Sequence, residues 1–339
     1  MSNKYNITCV FEDGATSHFQ SSAIETVYSA ALRSGLTLET DCREGACGVC
    51  KAHLSDGQCD IGDVSDEALT DEEQEEGFLL ACQARPRSDM VLEFGYPLSL
   101  LKKEVANLDA RVAALEPVAD NVMRVVLESD AAPLPFLAGQ YVNITVPGAV
   151  PGRSYSFANS PADNSRMEFF VRLLEQGAMS NWLRDGAKVG DPVSVQGPYG
   201  QFFLRPARAG QIIMIAGGTG LAPMLSMLEQ LRNQEAPMPN VVLLYGANFA
   251  GELFGDERIR QYGDQVSLHQ VVVNGDDGWQ GATGFVTDLL KEGLLADAAA
   301  TDAYLCGPPP MIDAAREKLA ALGVPTARIF AEKFLPSDH

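Results

Sequence analysis

Three cysteines fall within nine positions of the sequence, Cys42, Cys47 and Cys50 in "DCREGACGVC", and a fourth, Cys82, follows after 31 residues. The spacing C-x4-C-x2-C…C is the one that holds a plant-type [2Fe–2S] cluster. Two irons need two thiolates each, so four sulfurs must converge. One short loop supplies three of them only if its backbone wraps tightly. Gly45 and Gly48 permit the positive φ and close approach of such a wrap. The loop's amide N–H groups then stabilise the negative sulfurs. Structural zinc competes as a reading, but it favours two closely spaced ligand pairs, and here the fourth cysteine stands alone. Cys9 and Cys59 lack such a pattern and read as packing residues.

A second set of residues suits nucleotides. In "RSYS", Arg153 can hold a pyrophosphate bidentately, Tyr155 can pack on an isoalloxazine ring, and Ser154 and Ser156 can bond the ring edge. Gly177 and Ser180 in "GAMSNWL" stand at an expected helix start, a natural phosphate cradle. Alone, R-x-Y-S is also what an ordinary strand end looks like; its position before a nucleotide-binding block gives it weight. That block contains "IIMIAGGTGLAPML", a strand, a glycine turn and a helix with Pro223 in its first turn. Gly217, Gly218, Thr219 and Gly220 let pyrophosphate approach the backbone, although the turn is not the G-x-G-x-x-G fingerprint. Cys306 and Gly307 of "YLCGPPPM" end another apolar strand, and in a parallel sheet both ends open on one carboxyl edge. Cys306 there is expected to line a nicotinamide pocket. "FAEKF" delivers Glu332 and Phe334 toward the same boundary; a packed terminal strand accounts for it equally well.

The elements that must position these residues fall into three blocks. Residues 1–98 begin with two strands around the turn Asp13–Gly14. A helix over "AIETVYSAALRSG" stops at Gly35, and a short acidic helix is capped by Thr70 with Glu73 and ended by Gly77. This is an α+β pattern. Residues 99–206 carry short strands with polar turns, which predicts an antiparallel β-barrel. Residues 207–339 alternate buried strands ("QIIMIAGG", "VVLLYGAN", "SLHQVVV", "AYLCGPPP") with helical stretches, which predicts a parallel α/β sheet covered on both faces.

Composition excludes several classes. The chain has 339 residues and a net charge of −20, so nucleic acid and anionic membranes are not expected partners. Residues 1–98 hold 18 acidic and 6 basic residues, a face that could steer a basic partner if it is more than a solvated surface. No apolar run approaches the roughly 20 residues of a membrane span. The start "MSNKYNITCVFEDG" has no basic and apolar leader, so the cytosol is expected, where disulfides are rare and seven cysteines need another use.

Taken in order, "DCREGACGVC…C", "RSYS", "GGTGLAP", "CGPPPM" and "EKF" resemble the ferredoxin–NADP reductase superfamily with a plant-type ferredoxin fused at the N-terminus. Within it, the motif set resembles the reductase components of aromatic-ring-hydroxylating dioxygenases, particularly those of benzoate and toluate 1,2-dioxygenases. The resemblance implies a β-grasp-like ferredoxin domain, an FAD-binding barrel and an NAD(H)-binding domain. It implies an oxidoreductase that carries electrons from NADH through FAD and the cluster to a terminal oxygenase, most readily a Rieske-type one. The cluster ligands are then Cys42, Cys47, Cys50 and Cys82. Arg153, Tyr155, Ser156 and Ser180 then contact FAD, Gly217 to Gly220 and Cys306 contact the nicotinamide nucleotide, and Phe334 stands where an aromatic covers the flavin, while Glu332, by its place in the terminal strand, is expected to bond near the nicotinamide. The terminal aromatic of plant reductases is a tyrosine at the very end, whereas here "LPSDH" follows Phe334. A di-iron monooxygenase is the alternative partner, and a redox sensor without turnover the alternative role.

Overall fold

The computed structural model describes residues 4–102, 105–130, 134–148, 152–163, 166–206, 210–276 and 278–334. Two compact units emerge: Met1–Val105 with Tyr199–Gln201, and Ala106–Pro198 with Phe202–His339.

The first unit is an α+β fold. Its elements are β1 (Lys4–Phe11), β2 (Thr16–Ser22), α1 (Val27–Arg33), β3 (Lys51–Asp56), β4 (Cys59–Asp60), α2 (Asp71–Glu75), β5 (Phe78–Leu80), β6 (Arg85–Pro86) and β7 (Met90–Phe94). Five strands form a mixed sheet, β2-β1-β7-β3-β5, with β1 parallel to β7. Gly14, at φ +76°, turns β1 into β2 as the Asp-Gly pair predicts. The first helix starts four residues later than "AIETVYSAALRSG" suggests, because the Thr26 hydroxyl accepts from the Ser29 N–H and caps it there. On α2 the expected capping box is complete: Thr70 Oγ1 accepts from Glu73 N, and Glu73 Oε2 accepts from Thr70 N. Glu73 also takes Lys51 Nζ at 2.5 Å, which ties the helix to β3.

The second unit opens with β8 (Ala106–Ala119), β9 (Val122–Glu128), β10 (Tyr141–Thr145), β11 (Arg153–Ser156), β12 (Arg166–Arg172), α3 (Ala178–Asp185) and β13 (Pro192–Tyr199). The strand order is β11-β10-β13-β8-β9-β12. Ala158 N, just past β11, donates to Glu168 O on β12 at 2.8 Å and joins the two ends of the sheet into a barrel. Phe157, Phe169, Val142 and Val195 fill its interior.

There follow β14 (Ile212–Gly217), α4 (Leu221–Asn233), β15 (Val241–Phe249), α5 (Asp256–Arg260), β16 (Val266–Asn274), β17 (Ala282–Thr283), β18 (Asp302–Gly307), α6 (Pro309–Ala321) and β19 (Ile329–Lys333). The strands pair in parallel in the order β17-β16-β15-β14-β18-β19. Residues alternate between faces. Met214 and Ala216 join a core with α4, while Ile213 and Ile215 join one with α6. The α4 core also takes in Val122, Ala158 and Phe170 of the barrel, so barrel and sheet are one packed body. One strand departs from expectation. "SLHQVVV" is only half buried in β16, because the two-residue β17 leaves it near the sheet's edge.

Candidate cofactor sites

The cysteine loop leaves α1 and wraps back before β3. Gly45 and Gly48 lie at φ +80° and +73°, and Arg43 joins them at +61°. A Cβ on Gly45 would press on the Asp63 carbonyl, so both the backbone angle and the space demand glycine. The four thiols stand as two pairs, Cys42 with Cys47 and Cys50 with Cys82. In the first pair, the sulfur of Cys42 accepts from Cys47, and the N–H groups of Glu44 and Ala46 reach it at 3.4 Å each. These donors pull the Cys42 thiol down to about 5, while Cys47, which gives its proton to that sulfur, is pushed up. In the second pair Cys82 is lowered by Cys50 and by the Gly45 N–H, and Cys50 is raised. Among the described residues no three His, Cys, Asp or Glu side chains close on a single metal ion. Two thiol pairs supplied with N–H donors fit a bridged two-iron cluster, which needs two anionic sulfurs per iron. Arg43, 5.3 Å above the Tyr28 ring, and Gln83, whose amide bonds the Arg43 carbonyl, brace the loop. No sequence pattern marked either one.

At the other site the sheet dictates the geometry. The chain runs outward from β14 through β15 to β17 and then returns to β18 on β14's other side, so β14 and β18 flank a reversal of strand order. Such a point leaves an open crevice at the carboxyl ends of the strands. Gly217 ends β14 there and Gly307 ends β18. A Cβ on Gly220 would run into the Cys306 carbonyl, so glycine is needed for close packing of helix and strand. Gly218 differs. It sits at φ +54° and faces open space, since a Cβ there would meet nothing within 4 Å. An open, glycine-lined turn leading through Thr219 into the 13-residue α4 fits a pyrophosphate.

Glu332 is the register partner of Cys306, and its Oε2 accepts from the Ser156 hydroxyl at 3.2 Å. The end of "RSYS" and the end of "FAEKF" therefore meet. Burial raises the Glu332 carboxyl to about 8, opposed by the Ser156 hydrogen bond. Phe334 turns back, its N–H bonding Gly307 O at 2.8 Å. Leu335–His339 lie outside the described residues. Cys306 is fully buried, on the face of β18 that joins the α4 core, and burial drives its thiol well up. The edge itself is presented by Gly307.

On β11, Arg153 and Tyr155 share one face and Ser154 and Ser156 the other. Tyr155 packs on the barrel core, and Ser154 donates to Asn143 Oδ1 at 2.7 Å. Gly177 is the N-cap of α3 and brings no side-chain cap, so the helix's first amides stay open to a ligand. Ser180 is buried, its Oγ accepting from Leu174 N at 3.0 Å. Ser180 and β11 belong to the same barrel.

These arrangements define an oxidoreductase with separate stations for a cluster, a flavin and a nicotinamide nucleotide. Residues 10–87 match the 2Fe-2S iron-sulfur cluster binding domain, 109–204 the oxidoreductase FAD-binding domain, and 214–317 the oxidoreductase NAD-binding domain. The toluate 1,2-dioxygenase electron transfer component of Pseudomonas putida is 34% identical over 337 residues, covering 98% of this chain and 99% of its own. The phenol 2-monooxygenase reductase component of Pseudomonas sp. strain CF600 is 38% identical over 317 residues, 91% of this chain and 89% of its own. The crystal structure of an Amycolatopsis cytochrome P450 reductase superposes with a TM-score of 0.72 at 30% identity, covering 97% of this chain and 99% of that one. The chain belongs to the ferredoxin–NADP reductase-like family of electron-transfer components with an N-terminal 2Fe-2S domain. Its cofactors are a [2Fe–2S] cluster, FAD and a nicotinamide nucleotide.

Proposed function

We propose that this chain is the NADH-dependent electron-transfer component of an aromatic-ring-hydroxylating dioxygenase, working in the cytosol and delivering electrons to a Rieske-type terminal oxygenase. The likeness to the toluate dioxygenase component over nearly the full length of both chains supports the partner class. The observation that supports the chemistry is the 3.2 Å bond from Ser156 on the barrel to Glu332 on the sheet, which links a residue assigned on this reading to the flavin with one assigned to the nicotinamide side. Among the described residues, no helix is long and apolar enough to cross a membrane.

The cofactors supply the redox steps: nicotinamide gives a hydride, flavin trades electrons in pairs or singly, and the cluster passes them one at a time. The chain's residues bind and orient. On this reading residues 1–98 form the ferredoxin domain, 99–206 the FAD domain and 207–339 the NAD domain. Arg153, with Gly177 and Ser180 at the head of α3, holds the FAD phosphates, and Tyr155 and Phe334 border the ring. Gly217 to Gly220 and Gly307 hold the nucleotide, while Cys306 backs the edge from inside the core. Glu332, poised near neutrality, holds or releases a proton at Oε2 through Ser156.

NADH is expected to be preferred, because the stretch that follows β15 offers a 2′-phosphate no Lys or Arg before Arg258. Glu252 comes first, and the next cation, Arg258, already donates to Glu168 and Ala158. A di-iron monooxygenase partner is the second reading, favoured by the phenol monooxygenase relative at 38% identity. Mixing the holoprotein and NADH with a benzoate-type Rieske oxygenase, and separately with a phenol hydroxylase, decides between them. Hydroxylated product is expected only with the first. Product only with the second would transfer the protein to that class, and equal kcat/KM for NADH and NADPH would overturn the nucleotide assignment.

A further inference from the structure

We propose that Arg258 is a positioning residue for hydride transfer, holding the barrel backbone just past Ser156 against the nucleotide sheet. The proposal rests on the NADH-to-FAD reading above.

Ser156–Asn159 of the barrel makes three separate bonds with the nucleotide half. Ser156 Oγ donates to Glu332 Oε2 at 3.2 Å, Arg258 Nη2 donates to Ala158 O at 2.8 Å, and Ser226 Oγ donates to Asn159 O at 2.7 Å. The same guanidinium reaches Glu168 Oε2 on β12 at 2.9 Å and Glu229 Oε1 on α4 at 3.4 Å. Arg258 thus joins the strand that carries Ser156, the neighbouring barrel strand, and the helix that leads away from the glycine turn. The stretch is stiff on the barrel side too, because Asn159 Oδ1 accepts from Glu168 N and its Nδ2 donates to Asp163 O and Arg166 O. Through it, Arg258 sets where Ser156 stands relative to Glu332 and the carboxyl edge.

Placement, more than cohesion, follows from how the charges are shared. Glu168 keeps Arg124 Nε at 2.5 Å and Glu229 keeps Arg232 Nη2 at 2.5 Å when Arg258 is taken away. No buried carboxylate is orphaned, so the main cause of collapse on breaking an ion pair is absent. What is lost is the fork that grips Ala158 O and Glu168 together. Lysine restores the charge but not the fork. Transfer rates are steep in such geometry, and a misplacement of about 1 Å costs on the order of 100-fold.

The test compares the FAD-loaded wild type with Arg258→Lys and Arg258→Ala. Single-turnover flavin reduction by NADH, the NADH dependence of that rate, FAD content, melting temperature and amide hydrogen exchange over 156–160 are measured. With alanine, the limiting reduction rate is expected to fall about 10- to 100-fold. NADH affinity should change less than about threefold, FAD content and melting should stay near wild type, and exchange at Phe157 to Asn159 should quicken. Lysine should give an intermediate rate. A limiting rate within about twofold of wild type, or unchanged exchange, overturns the proposal. A rate loss that tracks loss of FAD or a collapsed melting temperature also overturns it, since the role would then be structural. Failure of NADH to reduce the wild-type flavin would instead sink the proposed function, and it would be seen before any variant is made.

Discussion

The cluster loop and the proposed flavin–nicotinamide edge both gather reactive groups, but over very different lengths of chain. Three of the four sulfurs come from nine consecutive positions, and the loop's own amides serve them. The edge draws on β11, the turn after β14, the end of β18 and the end of β19, segments up to 176 residues apart at the Ser156–Glu332 bond. The first site is made by local backbone conformation and the second by sheet topology. They should therefore fail in different ways, and independently, since they lie in separate compact units.

The largest expected effect tests that independence. Cys47→Ala removes one thiolate from a pair, and the cluster's visible absorbance and iron content should be lost. Reduction of cytochrome c or an oxygenase should go with them. NADH-driven reduction of ferricyanide, which draws on the flavin, should persist. Loss of ferricyanide reduction as well would break the comparison, because the first unit would then be needed for the second to work.

The next effect concerns glycines within one turn. Gly220→Ala drives a methyl into the Cys306 carbonyl, and backbone cannot swing aside, so the second unit should lose about 3 kcal/mol. Gly218→Ala meets no atoms and has only its left-handed φ to sustain, at about 1–2 kcal/mol. Denaturant midpoints of the two variants check the order. A reversed order would mean that conformation, as in the cysteine loop, governs this turn too.

Much of this was readable in advance. The cysteine spacing, the Thr70 capping box and the Asp13–Gly14 turn are local patterns, and local chemistry realised them. The glycine turn after β14 was equally plain. Arg258, Asn159 and Ser226 were not, because nothing near them in the sequence marks a bond to a strand some 70 to 100 residues away. Cys306 shows the same limit. Its position at a strand end was evident, but which face of β18 it occupied depended on packing against α4, and that face is the core.

The last prediction concerns charge at the edge itself. Burial raises the Glu332 carboxyl from an ordinary 4.5 to about 8 in the folded chain. Below about pH 4.5 the folded and unfolded chains both hold the proton, and Glu332 has no effect on stability. Between there and about 8 the folded chain keeps the proton while the unfolded chain has released it. Stability must then fall as pH rises, and above about 8 the penalty is constant. Glu332→Gln cannot titrate. Its stability relative to wild type should therefore climb from about pH 5 to about pH 9, by about 2 kcal/mol. That is less than full linkage gives, because the side chain is only partly buried. Every other titrating group is common to both proteins, so the difference in urea midpoint isolates this one. A difference that stays flat across the range would mean that Glu332 ionises as an exposed carboxylate. The bond to Ser156 would then join two wet surfaces, and the edge would lose its likeness to the cysteine loop, where hydrogen bonding lowers the Cys42 thiol and a hydrogen bond to Cys82, with burial, raises that of Cys50.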